Sequence, residues 1–93
     1  MRARVAALAV MLAGAAPATA AAAPTVVTFG FDDGTTNQLE AAATLAAAGM
    51  KATFYVNSGN VGKTPEFMTW DDLTHLRDLG HEIGGHTTNH VNL

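Results

Sequence analysis

The chain has 93 residues, no cysteine and a formal charge of −3, a size that allows one small domain and excludes a disulfide framework or a thiolate metal site. Beyond Arg2 and Arg4, the lysines and arginines are Lys51, Lys63 and Arg77, set against eight acidic side chains. Such a balance argues against nucleic acid or anionic lipid as a partner.

The amino-terminal segment reads as an export signal. Met1-Arg2-Ala3-Arg4 is a basic head, Val5 to Ala16 is an uncharged apolar run, and Pro17-Ala18-Thr19-Ala20 has the small-x-small pattern that signal peptidase prefers. The apolar core is too short to span a membrane comfortably and lacks a stop-transfer flank. A cleaved leader over residues 1–23 is therefore expected, cut between Ala20 and Ala23. The mature protein would be secreted, acting outside the cell or at the cell wall, with no membrane attachment after cleavage. Residues 24–93 are at the lower edge of what buries an adequate core without staples or metal. Exposed parallel edges and a thin core predict that this chain alone is poorly stable or prone to aggregate.

Thr25-Val26-Val27-Thr28-Phe29-Gly30-Phe31 is rich in β-branched and aromatic residues without a helical period, which predicts a buried strand. Asp32 and Asp33 follow at its C-terminal end. Adjacent carboxylates repel and are costly to desolvate, so solvent, a cation or a shared proton must offset the charge. After a turn at Gly34-Thr35-Thr36, a helix opens at Asn37-Gln38-Leu39-Glu40, with Asn37 or Thr36 as its cap and Glu40 in the first turn. Its alanine-rich body, Leu39 to Ala48, has high helix propensity, and Gly49 closes it. Lys51 to Val56 is a second β-rich run, followed by a polar glycine loop from Asn57 to Gly62. Strand, helix and strand joined this way form a βαβ unit with parallel strands.

Past an irregular connection through Pro65, Thr69-Trp70-Asp71-Asp72 offers a hydroxyl cap with an acid three residues on. The helix it opens runs to Leu79, with Trp70, Leu73 and Leu76 on one face, and Gly80 ends it. His81-Glu82-Ile83-Gly84-Gly85 is a weak third strand. His86-Thr87-Thr88-Asn89-His90 is expected to begin a further helix, on which histidines at i and i+4 share a face and could share a metal.

The order βαβαβ means a parallel sheet or the opening part of a barrel. In such folds the chemistry sits at the C-terminal strand ends, where Asp32, Asp33, His86 and His90 all fall. Taken alone, Asp32-Asp33 reads as a solvated turn, and the two histidines fit a surface or capping role equally well. Their joint occurrence at matching strand ends favours a shared site. His75 and His81 lie off that face and read as structural or exposed, Trp70 and Phe67 as packing, and Glu82 as structural, paired with a backbone amide or Lys51. Asp33-Gly34-Thr35 also echoes the signature of aspartyl-phosphate phosphatases, but Phe31 occupies the position of their nucleophile, so that reading fails.

The strand ending Phe31-Asp32-Asp33-Gly34, the strand Ala52-Thr53-Phe54-Tyr55-Val56 and the run Gly80-His81-Glu82-Ile83-Gly84-Gly85-His86-Thr87-Thr88-Asn89-His90 resemble the NodB-homology polysaccharide deacetylases, the fourth carbohydrate esterase family. The family's first motif is Thr-Phe-Asp-Asp-Gly and its second is His-(Ser/Thr)-x-x-His; here Gly30 stands where threonine is usual. The resemblance covers nearly all of Thr25 to Leu93. It implies an α/β fold in which residues 24–93 are the N-terminal βαβαβ portion of a distorted (β/α) barrel with parallel strands, a truncated NodB-homology domain behind its signal peptide. The family's base-orienting arginine, its aromatic groove segment and its late acid histidine would lie beyond Leu93.

The resemblance further implies that Asp33, His86 and His90 bind a divalent metal, zinc first, with cobalt, manganese or nickel as alternatives, and that Asp32 is the general base. Two imidazoles and one carboxylate are a common catalytic zinc set with an open position for water, and a neighbouring unligated carboxylate can take that water's proton. Thr87 would be a supporting hydroxyl. The implied activity is hydrolytic removal of N-acetyl, or O-acetyl, groups from a polysaccharide such as chitin, peptidoglycan or xylan, by a protein that is monomeric when complete. The alternative is a catalytically incomplete secreted remnant that binds metal or glycan without turnover.

Overall fold

A computed structural model describes residues 22–93; the leader read over residues 1–23 lies almost wholly outside the described residues. Three short parallel strands, β1 (Gly30–Asp33), β2 (Thr53–Val56) and β3 (Glu82–Gly85), form one sheet in the order β1-β2-β3. The helices α1 (Gln38–Ala47) and α2 (Trp70–Asp78) connect them, so the predicted βαβαβ order is the one observed. Among the described residues no helix is long and apolar enough to cross a membrane.

Register decides which side chains meet. Phe31, Phe54 and Ile83 fall in one row across the sheet, with Asp33, Val56 and Gly85 two residues further on. Because side chains alternate along a strand, these rows share a face. On that face Phe54, Val56, Leu73, Leu76, Met68, Ala42 and Ala52 form the buried core, with Phe31, Leu39, Leu45, Val61 and Ile83 packed around it. Ala42 is fully buried, so the alanine-rich helix makes its contact by close approach. His81 is buried as well: its Nδ1 accepts from the Ala52 N–H at 3.0 Å, which places the ring proton on Nε2, 3.0 Å from the Ala42 carbonyl it donates to. One imidazole thus ties α1 to the start of β2, the structural role read for it, whereas His75 is exposed.

Several expectations are corrected. The first strand does not run from Thr25 to Phe31 but from Gly30 through both aspartates. Among the described residues upstream of Gly30, only Phe29 bonds to the sheet, its carbonyl accepting from Thr53 N–H at 2.9 Å. β2 itself begins opposite Gly30, so Val26 and Val27 have no strand to pair with and lie exposed. Asn37 stands at the N-cap of α1, yet its side chain bonds no helix amide; its Oδ1 accepts instead from the Thr35 hydroxyl at 2.6 Å. Trp70 is 62% exposed although Leu73 and Leu76 are buried. Steps of three residues drift about 60° around a helix, so the stripe that buries Leu73 and Leu76 has turned away from Trp70. Lys51 lays its side chain over Gly80 and makes no ion pair with Glu82 among the described residues.

The second helix starts as the sequence predicts. Thr69 Oγ1 accepts from Asp72 N–H at 3.1 Å and the Asp72 carboxylate accepts from Thr69 N–H at 2.9 Å, a complete capping box. Thr69→Ala should therefore cost about 1 kcal/mol, read as a lower urea midpoint at unchanged slope, and Thr69→Ser should restore most of it.

Candidate metal centre

β1 delivers Asp33 at its tip, and the chain leaving β3 turns back towards it. His86 N–H donates to the Val56 carbonyl at 2.8 Å, which extends the β3 ladder by one residue. The next residues do not continue as the expected helix. Thr87 and His90 adopt φ of 63° and 52°, and His90 N–H donates to Thr87 Oγ1 at 3.0 Å, closing a tight turn. The imidazoles of His86 and His90 come within 5.1 Å, centroid to centroid, through this left-handed turn and not through helical spacing. Thr87 supports the pair by holding the turn, and its hydroxyl bonds to backbone and to Asn57.

The donor atoms converge. Asp33 Oδ1 lies 3.4 Å from His86 Nε2 and 3.5 Å from His90 Nε2, and one ligand atom from each of the three residues falls within 4.8 Å of the other two. Among the described residues Asp33 Oδ1 nevertheless has no hydrogen-bond partner, although it is buried. A desolvated carboxylate oxygen left unbonded costs free energy unless a cation compensates it. Donors roughly 2.1 Å from one tetrahedral centre stand about 3.4 Å apart, the spacing of a zinc-type site with nitrogen and oxygen ligands. The donor set and its two carboxylate–imidazole distances therefore fit a divalent ion.

Backbone strain marks the same place. Among the described residues the non-glycine residues with positive φ are Asp33 (77°), Thr87 and His90. Each such conformation costs on the order of 1–3 kcal/mol and persists only where surrounding contacts hold it, and a β-branched threonine tolerates it least. Gly34, next to Asp33, also has φ of 70°, and a Cβ there would meet Val56 Cγ1 at 2.9 Å, so the turn after the carboxylate pair admits only glycine.

The remaining residues separate clearly. Asp32 is exposed, lies outside the donor cluster and shares a register row with Tyr55. Its backbone carbonyl accepts from Gln38 Nε2, while its carboxylate makes no hydrogen bond among the described residues. A cavity of about 240 Å³ adjoins the donors, lined by Asp33, Thr35, Asn57, Asn60, Glu66, Phe67 and His90. Phe67, read from sequence as packing, is half-buried on this cavity, bridged through its backbone to Thr35. A larger apolar cleft of about 460 Å³ lies along Phe29, Phe31 and Leu45, and no donor residue lines it. Asn57, which sequence reading left inside a polar loop, is buried against the histidine turn. Its signal in the sequence is only a polar residue directly after a buried strand.

A family model described as polysaccharide deacetylase matches residues 19–93, taking in both aspartates and both site histidines. The chain belongs to the polysaccharide deacetylase family. No curated protein and no solved structure matches it. Three parallel strands with two connecting helices agree with a portion of the NodB-like fold of these deacetylases. Members of this family are generally metal-dependent, and Asp33, His86 and His90 are the described residues of this deacetylase domain that could hold an ion together.

Proposed function

We propose that the domain removes acetyl groups by hydrolysis from an N-acetylated, or O-acetylated, polysaccharide such as chitin, peptidoglycan or xylan. Asp33, His86 and His90 hold a divalent metal and Asp32 is the general base. The observation that carries this reading is the convergence of one unbonded, buried carboxylate oxygen and two imidazole nitrogens at the tip of the sheet. Export, read from residues 1–23, would place the substrate outside the cell.

When bound, the ion supplies Lewis acidity, polarising an acetyl carbonyl and acidifying a water. The chain's own residues do the rest. His86 and His90 aim Nε2 at Asp33 Oδ1, so with an ion held there their ring protons would be on Nδ1, and Asp33 would contribute the negative charge. Asp32, exposed and free of side-chain hydrogen bonds, accepts the water's proton. The water's oxygen would bond to the acetyl carbon and the bond from that carbon to the sugar's nitrogen, or to its oxygen in an O-acetyl group, would break, giving acetate and an amine or alcohol that takes up a proton. Nitrogen and oxygen donors place zinc first, with cobalt, manganese and nickel close behind.

The two aspartates are separable by experiment. In the complete product of the reading frame, Asp32→Asn should keep its zinc and lose roughly 10²–10⁴-fold in acetate release from N-acetylglucosamine oligosaccharides. Asp33→Asn should lose the zinc itself. Metal loss from Asp32→Asn would exchange the two roles, and zinc binding without any acetate release would favour a binding remnant.

A further inference from the structure

We propose that Asn57, with the Ser58-Gly59 backbone beside it, is a positioning device for the metal centre: it fixes the histidine turn so that His86 and His90 face Asp33. The inference rests on the metal reading above. Four consecutive residues at and after the end of β2 each set one polar group against the turn. The Val56 carbonyl accepts from His86 N–H at 2.8 Å, the Asn57 side-chain amide donates to the His86 carbonyl, Ser58 N–H donates to the Thr87 carbonyl at 3.3 Å, and Gly59 N–H donates to the Thr88 carbonyl at 2.9 Å. Asn57 Nδ2 also stands 3.5 Å from Thr87 Oγ1. Together these bonds cover residues 86–88 without a gap.

The side chain of Asn57 is not there by default. It is 2% exposed, and a buried amide is unfavourable unless its groups are bonded. Its donor goes to the carbonyl of a metal-site residue. The turn needs such a hold, because Thr87 and His90 sit at positive φ and the turn's own His90-to-Thr87 bond spans only three residues. Gly59 reports the same contact from the other side. A Cβ there would stand 2.5 Å from Asn89 Oδ1 and 2.7 Å from the Thr88 carbonyl. Gly59 does not adopt a left-handed backbone, so what the position demands is space for the histidine turn.

The test measures zinc affinity by chelator competition and the visible absorption of the cobalt-loaded chain. Asn57→Asp keeps the size and loses the N–H donors; Gly59→Ala adds one methyl where the turn lies. Each should weaken zinc about 10–100-fold and alter the cobalt spectrum while the metal-free circular dichroism stays at that of the parent. If Asn57→Asp fails to fold, exposed Gly59→Ala decides alone. Parent-like zinc affinity in either folded variant, with His90→Ala losing zinc, overturns the positioning role and leaves the metal centre standing. Parent-like affinity in His90→Ala overturns the metal centre itself. Loss of metal-free structure in Gly59→Ala also overturns the inference, because the contact would then serve the fold and not the site.

Discussion

Saturating zinc should raise the unfolding temperature of the chain by about 10–20 °C. A ligand at a hundredfold excess over its dissociation constant stabilises the folded state by about 2.7 kcal/mol, and in a domain of this size each kcal/mol moves the midpoint by about 4–8 °C. The physical source is the donor geometry: Asp33 Oδ1 is buried without a hydrogen-bond partner among the described residues, and Asp33, Thr87 and His90 hold strained backbone at the donors. His86→Ala and His90→Ala should abolish the shift. Asp33→Asn should abolish it too, because a neutral amide oxygen is a much weaker ligand for a divalent ion than a carboxylate. Melts followed by circular dichroism, with chelator and with zinc, separate these outcomes. An equal zinc shift in parent and His90→Ala would assign the ion elsewhere.

Phe54→Ala should unfold the chain at room temperature. Phe54 is among the largest fully buried side chains, stacked on Phe31 at 5.0 Å and 9° and meeting the His81 ring edge-on at 5.3 Å. Truncating a buried phenylalanine costs about 3–5 kcal/mol, more than a core this thin can spare. The same change would loosen His81 and with it the tie between α1 and β2. Trp70→Ala is the contrasting case. Exposed at the start of α2, that residue should change stability by no more than about 0.5 kcal/mol although it is the larger side chain. A near-native urea midpoint for Phe54→Ala, or a large loss for Trp70→Ala, would mean that the core lies elsewhere.

Phe54 and Trp70 also show where sequence reading stops. Both are large and apolar in elements whose existence the pattern predicts correctly, yet one is buried and the other is not. The sheet register places Phe54 in the core row, and the turn of the helical stripe through Leu73 and Leu76 leaves Trp70 outside it. His81 is similar. Its partners, Ala42 and Ala52, are 39 and 29 residues away, so a local pattern marks it only as lying off the face of the histidine pair. The histidine turn is the sharpest instance. Spacing of i and i+4 points to a helix, but the ladder bond from Val56, the Asn57 amide and the left-handed Thr87 bring the rings together by another route. Of the residues named from sequence, the fold brings Asp33, His86 and His90 together and leaves Asp32 outside their cluster, and the helix inferred for the two histidines is not the conformation it uses.

By itself the sequence determined the element order, the capping box at Thr69, the closure of the first helix at Gly49 and the two motifs that carry the donor atoms. Each of these depends on neighbours a few residues apart, whose preferences act before any long-range contact forms. Only the tertiary structure decided where β1 begins, which aromatic is core, and how a carboxylate from the first strand meets two imidazoles beyond the third. Those outcomes depend on strand register and on hydrogen bonds between residues about thirty positions apart, such as Asn57 and His86, and on backbone strain that the chain accepts only when such bonds hold it in place.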